Sequence, residues 1–374
     1  MTYLDYAASA PIYKQALDKM YNVTLDYFGN PGALHTSGCD ARKILQESRK
    51  AIASLLNVRD REVFFTSGAT EANNWAIRSA CSSSCGKSII VFAAEHSSVL
   101  ESADAMTALG YSVTRIQPDA GGRLPLSSLE KAITPDTCLV CVQAVNNETG
   151  VIQDVAAIAD IVHKHGAAYL CDAVQAFGHV ALPLHRADYI SITSHKLGGP
   201  KGVGCLIARY PHSPKVMIHG GGQELGLRSG TENVPAIAAF ALAAQLSALM
   251  REEENIRLRL LSDRFIDALH DIDPDISLNA SDSPRFSAIM SIRFPGILSE
   301  DMVSLLDLEG IYASPGAACA ARDASASHVL LSMGYSQQHA KESVRFSIGR
   351  LTTPKEIDDT IAAIRRILRI RKGM

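Results

Sequence analysis

Short apolar runs alternate with longer segments in which apolar residues recur every three or four positions, and this rhythm carries through the middle of the chain. Runs of strand character fall near 62–66, 88–92, 111–116, 138–144, 167–171, 188–193 and 203–208, with helical patterns between several of them. Strands spaced by helices predict a mostly parallel sheet covered on both faces. A long helical stretch follows from Val234 to His270, first alanine- and leucine-rich and then densely charged, and it reads as the connection out of the large domain. "SAIMSIRF" (287–294) begins another strand, a helical pattern covers 300–309, and a terminal helix starts near Pro354. The expected organisation is a large α/β domain over 15–250 and a smaller α/β domain built from 1–14 and 251–374, with the N-terminal arm laid against the C-terminal part.

Composition narrows this picture without redirecting it. At 374 residues the chain can bury a full core and carry a second domain. Its 47% hydrophobic and 20% charged content is that of a globular protein. A formal net charge of −3 carries no polyanion-binding signature, so nucleic acid is not an expected partner. No run of about eighteen apolar residues is visible and the start lacks a basic-then-apolar leader, so no membrane association and a cytoplasmic location are expected. Eight cysteines in a chain this long do not make a disulfide framework. Cys138 and Cys141 form a C-x-x-C inside the apolar "TCLVCVQAV", where the pair reads as core, and Cys81 and Cys85 flank a serine-rich loop with no further Cys/His pair at metal spacing to accompany them, so no metal site is expected.

Three polar features sit at the ends of predicted strands. In "ADYISITSHKLGGPKGVG" an apolar run ends in Ser-His-Lys, and a glycine- and proline-rich turn follows at once. Lys196 is placed where partial desolvation frees its amine to form a Schiff base with a carbonyl cofactor, although most lysines after a strand are surface residues. "GAAYLCDAVQAFG" ends a strand in Asp172, a carboxylate that needs a partner, either a protonated ring nitrogen or a helix N-terminus to cap. "REVFFTSGATEANNWAIRSA" is strand, small-residue turn and helix. There Gly68, Ala69 and Thr70 would offer backbone N–H groups to an anion, and a capping box through Ser67 or Thr70 with Glu71 explains the same residues equally well. Phosphate turn, aspartate and lysine in that order point to pyridoxal 5'-phosphate.

The chain resembles a known family from end to end. "YLDYAASAP", "FGNPGALH", "FTSGATEANN", "AEHSSV", "VNNETG", "DAVQAFG", "SHKLGGPKGVG", "GGGQELGLRSGTEN", "SPGAACA", "SHVL" and "VRFSIGRLTT" occur in sequence order. It is similar to the cysteine desulfurases of the nitrogen-fixation and iron–sulfur-cluster type, relatives of the class V aminotransferases. The resemblance implies the fold-type I (aspartate aminotransferase-like) architecture and a homodimer with active sites at the subunit interface. It implies Lys196 as the cofactor-bearing lysine that also moves the substrate Cα proton. Asp172 would hold the pyridinium nitrogen, Gln175 the ring hydroxyl, and His96 would stack over the ring and aid proton traffic. Ala69, Thr70, Thr193 and His195 would grip the phosphate, with Thr231 reaching it from the other subunit. Asn147 would touch cofactor or substrate, and either Arg345 or Arg350 would bind the substrate carboxylate. The sequence departs from the family at Tyr6, at Pro315 and Ala317, and at Leu225.

Cys319 decides the reaction that the resemblance implies. It lies in "YASPGAACAARDAS", a stretch of small residues without apolar periodicity, which suits a loop that carries a thiol to a bound substrate. The expected chemistry converts L-cysteine to L-alanine, leaves the sulfur on Cys319 as a persulfide, and passes it to an acceptor thiol or protein. The acceptor serves iron–sulfur cluster assembly or another thiolation. Three other readings are a selenocysteine lyase, a class V aminotransferase, and a non-catalytic sulfur-delivery scaffold. Relative turnover of selenocysteine, transfer to a 2-oxo acid, and survival of function in Lys196→Ala separate them in turn.

Overall fold

The computed structural model describes residues 1–316 and 326–371. After β1 (Thr2–Tyr3) and helices α1 (Lys14–Asp26) and α2 (Thr36–Leu56), the chain lays down the main sheet. Its strands are β2 (Val63–Thr66), β3 (Ser88–Phe92), β4 (Ser112–Ile116), β5 (Thr137–Cys141), β6 (Ala168–Asp172), β7 (Tyr189–Thr193) and β8 (Gly204–Ala208). Helices α3 (Ala69–Ser83), α4 (Ser97–Ala105), α5 (Leu126–Ala132) and α6 (Val155–Lys164) join consecutive strands from β2 to β6.

The order across the sheet is β2-β8-β7-β6-β5-β3-β4. Strands β3 to β7 run parallel, whereas β8 is antiparallel to both β2 and β7. The reason is the short turn after Lys196, which leaves no room for a crossover helix and so reverses the chain. Strands β2, β5, β6, β7 and β8 are buried at every residue, the signature of a sheet covered on both faces. The edge strand β4 instead exposes Ser112, Thr114 and Arg115. The expected strand near 138–144 formally stops at Cys141, yet Val142 and Ala144 still donate to Leu170 and Asp172, so its ladder continues.

Helix α7 (Val234–Ile272) packs against α1 and α2 and against the last helix, α11 (Pro354–Arg371). By length and composition α7 could cross a membrane, but 56% of its most apolar window is buried inside the protein. Its alanines fill a core. Beyond α7, β9 (Ser277–Leu278), β10 (Ile289–Arg293), β11 (Ile311–Tyr312), β12 (Ser314–Pro315) and β13 (Ser343–Ser347) follow, with α8 (Ser299–Leu308), α9 (His328–Ser332) and α10 (Gln337–Lys341) among them. A smaller antiparallel sheet runs β12-β13-β10-β9. The N-terminal arm joins this part of the molecule. Strand β1 pairs with β11, Leu4 N donates to Tyr312 O at 2.8 Å, and Ser347 N donates to Leu4 O at 2.7 Å.

Candidate active site

The ends of β6 and β7 and the first turn of α3 converge on a cavity of about 550 Å³, at the strand ends where open α/β sheets collect ligands. After β7 a single 3-10 turn, Ser194–Lys196, sets the lysine into the wall. The turn then closes through Gly198 at φ 86°, where a Cβ would sit 2.8 Å from the Tyr13 ring, so only glycine fits. Lys196 Nζ donates to the carbonyls of Ala7 at 2.6 Å and Ala8 at 2.8 Å. Gln175 Nε2 donates to the same Ala7 oxygen at 3.0 Å. His195 Nδ1 lies 3.1 Å from Thr193 Oγ1. Burial, reinforced by the charges of Lys196 and Lys201, pushes His195 down to about 4, so its imidazole is neutral at pH 7.

Asp172 ends β6 with both oxygens engaged. Oδ1 accepts from Val174 N at 3.0 Å and Oδ2 from Asn73 Nδ2 at 2.9 Å. It therefore makes a local turn bond and also faces the cavity. The capping alternative at α3 resolves differently. Gly68 is the N-cap and has no side chain to cap the helix with, while Glu71 reaches back to accept Ser67 N at 2.8 Å. Arg228 grips Glu71 through Nε at 2.8 Å and Nη2 at 3.1 Å. Burial opposes ionisation of Glu71, but the bonds from Arg228 and Ser67 outweigh it and hold the carboxyl below its ordinary range. The first-turn N–H groups of α3 thus face the cavity beside a neutralised carboxylate, an arrangement suited to an anion. Gly204 makes this possible, since a Cβ there would lie 2.8 Å from Gly68 Cα and 2.6 Å from Ile192 O.

Ala69, Thr70, His96, Asn147, Asp172, Gln175, Thr193, His195, Lys196 and Arg345 all line the one cavity. Arg345 is buried, with Nη2 on Asp5 Oδ1 at 2.7 Å and Nη1 on Asn147 O at 3.1 Å. Arg350 is not in this wall. Its Nη2 donates to Pro11 O at 3.0 Å and Ile12 O at 2.8 Å, and its guanidinium lies 4.2 Å from the Tyr13 ring centre. Those bonds pin the N-terminal arm and point Arg350 away from the cavity. Thr231 is exposed and lies outside the cavity of its own chain. Cys319 falls outside the described residues, between Gly316 and Ala326.

Sequence reasoning gave no role to several side chains that shape the site. Asn73, fully buried on α3, holds Asp172. Glu95 is buried with Oε1 on Gln143 N at 2.5 Å; burial and then the nearby Asp172 charge raise its carboxyl well above the ordinary range. Glu148 is also raised by burial and accepts the Ser327 hydroxyl, while His328 Nε2 lies 2.9 Å from Glu95 O. Both glutamates stand in quoted motifs, "AEHSSV" and "VNNETG". Nothing local marks them, because each partner comes from a distant part of the chain.

The sequence profile described as "Aminotransferase class-V" matches residues 2–359. The chain is 38% identical to the cysteine desulfurase IscS of Methylobacillus flagellatus over 96% of its own length and 90% of that protein's. Among solved structures, a NifS-like protein superposes with a TM-score of 0.93 at 32% identity, covering 99% of both chains. A structure titled SspA in complex with cysteine superposes at 0.84 with 30% identity, over 94% of this chain and all of that one. The architecture is that of pyridoxal-phosphate fold type I. The chain belongs to the class V aminotransferase family, a pyridoxal-phosphate-dependent group, and within it to the cysteine desulfurases.

Proposed function

We propose that the protein binds pyridoxal 5'-phosphate in the 550 Å³ cavity and desulfurates L-cysteine to L-alanine, taking the sulfur onto Cys319. One observation carries this reading. The Lys196 amine, the Asp172 carboxylate and the uncapped start of α3 face one another across a single cavity. The residues fit the coenzyme's chemistry, with an acceptor for a cationic ring nitrogen, an anion seat, and an amine lining one cavity. When bound, the coenzyme supplies an electron sink that makes the substrate's C–S bond breakable.

The chain's own residues do the rest. The N–H groups of Ala69 and Thr70, with Thr193 and His195, would hold the phosphate, while Asp172 and Gln175 would hold the ring and His96 would lie beside it. Lys196 takes the Cα proton, Asn147 and Arg345 orient the substrate, and Arg345 pairs with its carboxylate. The Cys319 thiolate then attacks the substrate sulfur. A new S–S bond forms, the C–S bond breaks with its electron pair kept by carbon, and protonation there yields alanine. The products balance as L-alanine and a persulfide on Cys319, whose outer sulfur passes to an acceptor thiol for iron–sulfur cluster assembly or another thiolation.

The active form in this reading is a cytoplasmic homodimer, with 15–250 as the coenzyme domain and 1–14 plus 251–374 as the smaller one. The surface supports the pairing. Phe28, Leu34 and Leu225 are 81%, 91% and 73% exposed, and the 31–32 turn shares a cleft with Leu225 and Glu232, next to Thr231. Burying that apolar cluster against a second copy would carry Thr231 to the partner's phosphate seat.

The test is direct. L-cysteine is added to the purified, coenzyme-loaded protein, and the visible band, alanine and sulfide are followed with and without a reductant. A band change with alanine formed stoichiometrically is expected, and sulfide release should depend on the reductant. No alanine from a coloured, folded protein would reject the reading.

A further inference from the structure

We propose that Asn73 and Ser98 are positioning residues that lock His96 as its Nε2–H tautomer and tie that ring to the Asp172 carboxylate. The inference deepens the reading above, because it assigns a proton position to the ring expected over the coenzyme. The hydrogen-bond pattern leaves little freedom. Asn73 is fully buried, and its amide nitrogen is 2.9 Å from Asp172 Oδ2 and 3.0 Å from Ser98 Oγ. An amide nitrogen has two hydrogens, and both are used. A flipped amide would set its oxygen against the Asp172 carboxylate, so the orientation is fixed.

Ser98 Oγ therefore accepts from Asn73, which leaves its single hydrogen for His96 Nδ1 at 2.8 Å. The backbone N–H of Ser98 also points at Nδ1, at 3.0 Å. A backbone N–H can only donate, so Nδ1 must be the bare nitrogen and the ring proton sits on Nε2. A doubly protonated ring would put two donors head to head at the start of α4, where His96 is the N-cap and the helix dipole opposes a cation. His96 is thus a neutral imidazole that offers an Nε2 hydrogen. It serves as a donor, and not as a base through that nitrogen.

Histidine-ring 15N NMR on the whole protein tests the proton position, with the His96 signals assigned by their loss in His96→Gln. Coenzyme-free and coenzyme-loaded protein at pH 7 should both show a bare Nδ1 and a protonated Nε2; a proton on Nδ1, or an imidazolium, overturns the proposal. Ser98→Ala keeps the backbone donor but removes one of the two tethers. It should shift the Nδ1 resonance without changing the tautomer and lower kcat about tenfold at nearly constant KM, the loss of one net hydrogen bond. Ser98→Thr should restore both. A Ser98→Ala enzyme within twofold of the parent, or a Thr variant no better than Ala, also overturns it. Asn73→Leu should weaken coenzyme retention about tenfold as Asp172 loses its tether, and unchanged retention counts against the proposal. If the parent protein fails to take up coenzyme at all, the proposed function falls while the ring measurement still decides this one.

Discussion

Two arginines could bind the substrate carboxylate on sequence grounds, and the structure separates them by an amount that can be measured. Arg345 lines the cavity and is 1% exposed, with Asp5 and Asn147 O as its partners, and its Nε has none among the described residues. Two charge-assisted bonds to a carboxylate contribute about 1.5 kcal/mol each. Their loss in Arg345→Ala should lower kcat/KM by about two orders of magnitude, chiefly through KM. The same substitution unpairs Asp5, whose side chain is 21% exposed. A stability loss of about 3 kcal/mol should accompany it, the low end for breaking a mostly buried pair. Arg345→Lys keeps the charge for Asp5 without the fork, so its KM should rise only about tenfold. Arg350→Ala makes the contrast. It loses the Pro11 and Ile12 carbonyls and the Tyr13 face and should cost about 2 kcal/mol of stability with KM unchanged. Alanine formation against L-cysteine concentration, read beside urea unfolding of each variant, is the assay. A folded Arg345→Ala enzyme with KM within threefold of the parent, together with an Arg350→Ala enzyme of raised KM, would refute the assignment.

Further outcomes follow from the same geometry. Cys319→Ala should still change the coenzyme band on adding L-cysteine while producing almost no alanine; full alanine production would show that the thiol is not the sulfur acceptor. Gly204→Ala forces a Cβ against Gly68 Cα and Ile192 O. It should cost about 1–3 kcal/mol of stability and loosen coenzyme binding, and calorimetry with a coenzyme titration that matches the parent would contradict the packing argument. His195, at about 4 in the fold against 6.5 when free, binds fewer protons folded than unfolded. Stability should therefore fall as pH drops from 6.5 towards 4. The full effect would be about 3 kcal/mol, reduced to roughly 1–2 by solvent reaching the cavity. His195→Asn should flatten that part of the stability–pH curve of the coenzyme-free protein, and an unchanged slope would exclude His195 as its source.

Period and punctuation made the main sheet legible. Buried strands such as Ala168–Asp172 are continuous apolar runs, and polar residues at their ends announce themselves. The site was legible where chemistry sits at a strand tip, as with Lys196 and Asp172. It was not legible where a role depends on contact across the fold. Asn73 lies 99 residues from Asp172 in sequence, and no periodicity links them. Arg345 and Arg350 look alike in "VRFSIGRLTT" and part company only because β13 turns one toward the cavity while the other meets the N-terminal arm. The capping box at α3 was half right. Glu71 accepts Ser67 N as a capping box requires, but the N-cap is Gly68, which has no side chain to cap with.

The arm that carries Ala7 and Ala8 has a consequence for how such an enzyme can be cut and moved. Its backbone carbonyls grip the Lys196 ammonium, and its earlier residues are stitched to the smaller sheet through Ser347 of β13, with β1 paired to β11 beside it. Any sliding of the smaller sheet is therefore felt at the lysine as a pull on two oxygen atoms. Trimming eight residues from the front of the chain, a customary liberty with protein ends, would here unclamp the amine on which the whole site turns.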